Sequence, residues 1–337
     1  MSIVNTFSLQ SNRQIKINFD GSDLSSDAGL LLIKEFISKL GIERLLNRSF
    51  KTNDSAVFRY HTDRDNLLQM IYMIMAGYFE DDASDELTKD PIFFNRMDED
   101  TLKQFQEISQ ILRKRIYSIQ MPQAVILDLD STLLAAYGKQ EGRAFNFHYR
   151  SNGYHPLVCY AGITGDLIKI HLRDGAAYSC TGVTDFLQPI LDEYLNDYPT
   201  IHLLLRGDSG FATPDLYKQC EENGTSYVIR LKENFIKESK SGFDFSAVSS
   251  HNRIVNANRV QVHALAYNIF NWFRRLVLSA KMRKQRIDTV RLKLLKIATK
   301  VVHSARYITF KLCSSCPYKN EFYETFSNIG KLNVQLE

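Results

Sequence analysis

No stretch of these 337 residues runs 18 apolar side chains in a row, and the first residues lack the order of a secretory signal. Both absences set the expectation of a cytoplasmic protein with no membrane contact. Cysteine is sparse, five in all. Cys159, Cys180 and Cys220 stand alone, which suits a reducing compartment better than a disulfide framework. Cys313 and Cys316 form one C-x-x-C, but no second pair or histidine pair has the spacing of a structural zinc site. Internal repeats and low-complexity segments are missing too. What remains has the composition of an ordinary globular protein, long enough for two or three domains with real cores.

Acidic residues are scarce in one region only. Residues 1–124 carry 15 Lys and Arg against 18 Asp and Glu, and residues 125–232 carry 9 against 13. Residues 233–337 carry 18 against 7, and Asp288 is the one acid between Arg253 and Lys300. A solvated helix face is the plain explanation of a basic run. Beside a carboxylate centre, a polyanion such as nucleic acid becomes the better one.

Periodicity divides the chain into a mainly helical segment over 1–120, a core over 121–280 and a basic end over 281–337. In the first segment, Ile15, Ile17 and Phe19 alternate as a strand. Helices are expected over Leu30–Leu40, Asp65–Tyr78 and Thr101–Tyr117. The core opens with an apolar strand, 124–130. A polar, aromatic stretch follows from Phe145 to Tyr154. Two β-rich runs, 157–162 and 167–172, flank a hairpin turn at Ile163-Thr164-Gly165-Asp166. Then come a helix over 184–196, a strand over 201–205, a helix over 214–223 and a strand over 227–231. This order predicts a mixed α/β sheet with flanking helices. Asn256–Val277 is apolar nearly all round, so a buried helix is expected there. A basic helix over 288–302 and a strand over 307–312 complete the expectation.

The chemistry centres on Val125 to Leu134. Asp128 and Asp130 interrupt one apolar strand and point to the same face. A strand-end Asp capping a turn is the bland reading of either. Asp208, in Arg206-Gly207-Asp208-Ser209-Gly210, ends another buried strand. Two carboxylates at strand ends can hold Mg2+ (or Mn2+), and a third would complete a site for phosphodiester chemistry. Glu233 is the candidate third acid, with Glu238 as fallback. Lys237 and Lys240 share one helical face with Glu233, placing two cations to reach a DNA backbone. A competing reading is a haloacid dehalogenase-like phosphatase with Asp128 as nucleophile. Against it stand the β-hairpin after the first strand and the basic final third.

Several segments together carry a resemblance: Ala76-Gly77-Tyr78-Phe79-Glu80-Asp81-Asp82, Leu127-Asp128-Leu129-Asp130-Ser131-Thr132, Gly153-Tyr154-His155-Pro156-Leu157, Arg206-Gly207-Asp208-Ser209-Gly210-Phe211, Ala264-Leu265-Ala266-Tyr267-Asn268 and His303-Ser304-Ala305-Arg306-Tyr307. The chain resembles the DDE transposases of bacterial insertion sequences, group 1, over most of its length. The resemblance implies an RNase H-like core and Mg2+-dependent cleavage and strand transfer at element ends. It also implies terminal inverted repeats and target DNA as partners, a homodimer on DNA, and association with the nucleoid when bound. It selects Asp130 over Asp128 as the first metal ligand, Asp208 as the second and Glu233 as the third. The family's signature of Tyr, Arg, Glu and Lys is incomplete here, because Ser226 and Ile229 stand at the Tyr and Arg positions if Lys240 is the final Lys. The β-rich insertion usual before the third acid is missing, since Asp208 and Glu233 are 25 residues apart. An internally deleted copy, joined near residue 232, is the expectation. A catalytically dead DNA-binding remnant that modulates an intact transposase is the alternative.

Overall fold

The computed structural model describes residues 6–21, 27–54, 60–78, 94, 96–229, 242–244, 248, 250–304 and 306–334. Two short strands, β1 (Phe7–Ser8) and β2 (Ile15–Gly21), precede helices α1 (Leu30–Lys39), α2 (Ile42–Ser49), α3 (Asp63–Ala76) and α4 (Glu99–Ile119). Local chemistry fixes the helix starts. Thr62 accepts the Asp65 N–H while Asp65 reaches back to the Thr62 backbone, and Asp98 and Thr101 make the same reciprocal cap on α4. Gly77 ends α3 at φ 87°, a left-handed conformation that glycine adopts without strain.

The central sheet is built by β3 (Ala124–Ser131), β7 (Leu157–Ala161), β8 (Leu167–His171), β9 (His202–Gly207) and β10 (Ser226–Ile229). Their order is β10-β9-β3-β7-β8. The strands β3, β9 and β10 are parallel, whereas β7 and β8 are antiparallel additions. Helix α5 (Val183–Asp197) crosses from β8 to β9, and α6 (Pro214–Glu222) crosses from β9 to β10. Between β3 and β7 lies a small sheet of β4 (Leu134–Ala135), β6 (Ser151–Tyr154) and β5 (Ala144–Asn146), in that order. The polar, aromatic stretch from Phe145 to Tyr154 thus contains strand, which its composition does not signal.

Helix α7 (Arg253–Val277) is buried along its length, as its apolar composition required. Its buried asparagines have structural partners. Asn268 accepts the Leu167 N–H and donates to the Leu167 carbonyl, both at 2.8 Å, so it serves edge strand β8 as a further strand would. The β7–β8 turn is held by α7 as well. Asn271 donates to the Thr164 carbonyl, Tyr267 to the Gly165 carbonyl, and Arg275 pairs with Asp166 at 2.9 Å. A buried bidentate pair, Arg113 to Glu193 at 2.6 and 2.9 Å, ties α4 to α5. Burial pulls the Arg113 pKa down, but Glu193 outweighs it and the net shift is upward.

The two ends of the chain share a sheet of order β1-β2-β12-β11. Here β11 is Thr299–His303 and β12 is Ile308–Cys313, and β12 pairs with β2 in parallel. The first and last of the three expected segments therefore meet. Helix α8 (Lys319–Lys331) packs on this sheet through Phe322 and Tyr323 against Phe19. The expected basic helix over 288–302 needs correction. Its helical part is a single turn, Ile287–Val290, followed by a π-turn over Arg291–Leu295. Residues 299–303 are strand, because Thr299, Val301 and Val302 are β-branched and β12 offers them a ladder. Arg291 lies buried instead of facing a polyanion. It donates to the carbonyls of Ile74, Met75 and Gly242.

Candidate active site

The alternation of β3 sorts its side chains. Val125, Leu127 and Leu129 are buried, whereas Ile126, Asp128 and Asp130 line the half-exposed face. Strands β3 and β9 pair in parallel from Ala124 opposite His202 to Asp128 opposite Arg206. The ladder ends there, and Asp130 and Asp208 each follow two residues after its last paired positions, Asp130 still within β3 and Asp208 just past the end of β9. Both acids thus stand at the C-terminal ends of adjacent parallel strands, where open α/β sheets place their ligands.

Asp208 is fixed by the turn it begins. Its Oδ1 accepts the Gly210 N–H at 2.8 Å and caps a single 3-10 turn, Ser209–Phe211. Phe211 anchors that turn in the core with no exposed surface. Asp130 accepts the N–H of Ser131 at 2.6 Å. The Ser131 hydroxyl donates to Ser179 at 3.0 Å, and a Cβ placed on Gly210 would touch both Asp208 and Ser179. Ser179 therefore bridges the surroundings of the two acids.

Asp128 shares the face of Asp130 and is held in an ion pair. It lies opposite Arg206 in the ladder, and the guanidinium Nε and Nη2 donate to its two carboxylate oxygens. Gly162 packs so closely that a Cβ there would strike the Asp128 carboxylate. A nucleophile clamped in this way is poorly placed for in-line attack, which removes the support for a phosphatase built on Asp128.

A frame around the acids was not legible beforehand. The Arg173 guanidinium is buried and donates to the carbonyls of His155, Tyr178, Ser179 and Thr181. Burial pushes its pKa down to about 10, still well above neutrality. His155 donates its Nδ1 proton to the Ala177 carbonyl at 2.6 Å, and Tyr149 donates to the Ser131 carbonyl at 3.2 Å. A lone arginine after a strand carries no motif, so only its fold neighbours reveal what it holds.

Glu233, Glu238, Lys237 and Lys240 lie outside the described residues. Among the described residues no three His, Cys, Asp or Glu side chains converge, so Asp130 and Asp208 are the part of the expected site that can be described. As oxygen donors at the ends of adjoining strands, Asp130 half-exposed and Asp208 exposed, they are the donor type a hard divalent cation takes. No described helix is long and apolar enough to cross a membrane.

Among solved structures, the chain resembles one titled "Cryo-EM structure of piggyBac transposase synaptic complex with hairpin DNA (SNHP)" at 14% identity and a TM-score of 0.29, covering 62% of this chain and 52% of that one. The chain thus spans about half of that relative's length. No curated protein matches. The description "Transposase DDE domain group 1" matches residues 7–96, 93–234 and 232–334, which together take in the acid-bearing strands and both ends of the chain. On that near-complete match, the chain belongs to the transposase DDE domain group 1 family.

Proposed function

We propose that the chain is an insertion-sequence transposase that cleaves and joins DNA phosphodiesters at element ends, with Asp130, Asp208 and Glu233 holding Mg2+ or Mn2+. The observation that carries this reading is the parallel pairing of β3 with β9, since Asp130 and Asp208 lie at the C-terminal ends of these two neighbouring strands. The sheet order supports an RNase H-like core, with three antiparallel strands in sequence joined to two parallel ones. When bound, the cation would polarise the phosphate and lower the pKa of an attacking water or hydroxyl. The chain's own residues aim that chemistry. The Asp208 turn and the Ser131–Ser179 bond hold the acids in place, and Arg206 neutralises Asp128 so that it does not compete for the cation. Lys237 and Lys240 are proposed to reach the DNA backbone. A homodimer on double-stranded DNA is part of the same reading.

The dead-remnant reading keeps one argument. Ser226 opens β10 and Ile229 ends it, so the positions aligned with the family Tyr and Arg carry neither a hydroxyphenyl nor a guanidinium group. The join expected near 232 also coincides with one junction between matched segments, 232–234, although a second junction lies at 93–96. Nicking of element-end DNA with Mg2+ tests both readings. Asp130→Asn and Asp208→Asn should abolish nicking and leave DNA binding intact. Binding lost with nicking retained would overturn the assignment. Binding without nicking by the unaltered chain would establish the remnant.

A further inference from the structure

Four of the seven exposed aromatic side chains among the described residues, Tyr137, Phe145, Phe147 and Tyr178, gather on the small β4-β6-β5 sheet and the loop against it. Phe147 is 86% exposed and Tyr178 80%. Rings left this far in water forgo the burial that normally places them inside a protein. Both stand on loops that are firmly held. The Phe147 turn is pinned by the buried Asn146, whose Oδ1 accepts the N–H groups of His148 and Tyr149 and whose Nδ2 donates to the Gly175 carbonyl. The Tyr178 loop is held by Arg173. The two loops converge on the residue that follows Asp130, because Tyr149 donates to the Ser131 carbonyl and Ser179 accepts from the Ser131 hydroxyl. Phe145 and Phe147 meet edge to face at 5.2 Å, which stiffens the surface further. Exposed cations sit in the same segment as the rings, with Lys139 and Arg150 on the surface.

Flat rings interleaved with cations, on rigid loops beside a phosphodiester site, match the way proteins hold unpaired nucleic acid. We infer that Phe147 and Tyr178 form a stacking platform for unpaired bases of the DNA strand whose phosphate lies at Asp130 and Asp208. This rests on the reading as a DNA transposase and adds a base-contacting surface to it. The platform contributes affinity only where the helix end has opened. A self-association surface is the competing use of such rings, but the cations and the link to Ser131 favour DNA.

The test compares two DNA duplexes by fluorescence anisotropy in EDTA, with the full chain. Both carry a three-nucleotide unpaired end, one with bases and one with abasic sugars, so their charges match. The unaltered chain should bind the base-bearing end about tenfold more tightly. Phe147→Ala and Tyr178→Ala should each erase most of that preference, and Phe147→Trp should keep it. Because both rings are exposed, these variants should fold, which circular dichroism checks. Equal affinity for the two ends, or a preference that survives Phe147→Ala, overturns the platform while the transposase reading stands. If Phe147→Ala instead dissolves a dimer and leaves the preference intact, the rings serve self-association. Failure to bind any duplex overturns both platform and reading.

Discussion

Replacing Arg206 with alanine tests whether the β3–β9 face works as described. The Arg206 side chain is 27% exposed and the Asp128 side chain 19%. Removing one partner of a fully buried pair costs about 3–5 kcal/mol, because a charge is left without its counter-ion. Here both side chains are partly open to water, so the expected loss is smaller, about 2 kcal/mol, roughly 30-fold in the unfolding equilibrium. Asp128→Ala should cost less, since the longer Arg206 can turn toward solvent. The double variant should then cost less than the sum, with a coupling of about 1–2 kcal/mol. Urea unfolding can be followed on Trp272, the single tryptophan, which is 3% exposed. Asp128→Ala should also keep Mg2+-dependent nicking, whereas Asp130→Ala should lose it. Additive losses would show that the pair contributes nothing, and nicking abolished by Asp128→Ala would refute the division of labour between the two acids.

Other outcomes follow from groups away from the site. Glu193→Ala should cost about 3–5 kcal/mol by urea denaturation, since it leaves the Arg113 charge unpaired in the core. Burial holds the His263 pKa below its usual value, so the unfolded chain takes up the extra proton. Stability from this residue is complete above about pH 6.5 and falls as pH drops toward the depressed folded value. His263→Gln should flatten that slope in urea titrations run from pH 7.5 to 5. Gly29→Ala would drive a methyl into the Leu294 carbonyl and the Leu295 backbone, where the Gly29 N–H already donates to the Leu295 carbonyl. A loss of about 1–3 kcal/mol is expected, read as a lowered melting temperature.

Much of the fold could be read locally. Side-chain spacing sets helix α7 and strand β3, the reciprocal caps set α3 and α4, and Gly165, at φ 73°, makes the β7–β8 turn where the Thr164-Gly165-Asp166 run expected one. These features depend on residues close together in sequence. Helix α2 was missed because its eight residues, Ile42–Ser49, are too few for a clear period. Strand β11 was misread because the basic charge pattern of 288–302 hid a β-branched run whose partner strand comes later in the chain.

The sequence alone determined that two acids end apolar strands and that the last third is basic. Tertiary structure decided that Asp128 pairs with Arg206. Asp128 and Asp130 share a face and differ by two positions, and it is Asp128 that Arg206 arrives opposite. It also decided that much of the positive charge serves packing, since Arg291 caps the end of α3 and Arg275 holds Asp166. Charge and periodicity are properties of a segment, whereas neutralisation and pairing depend on which distant segment lies across the gap.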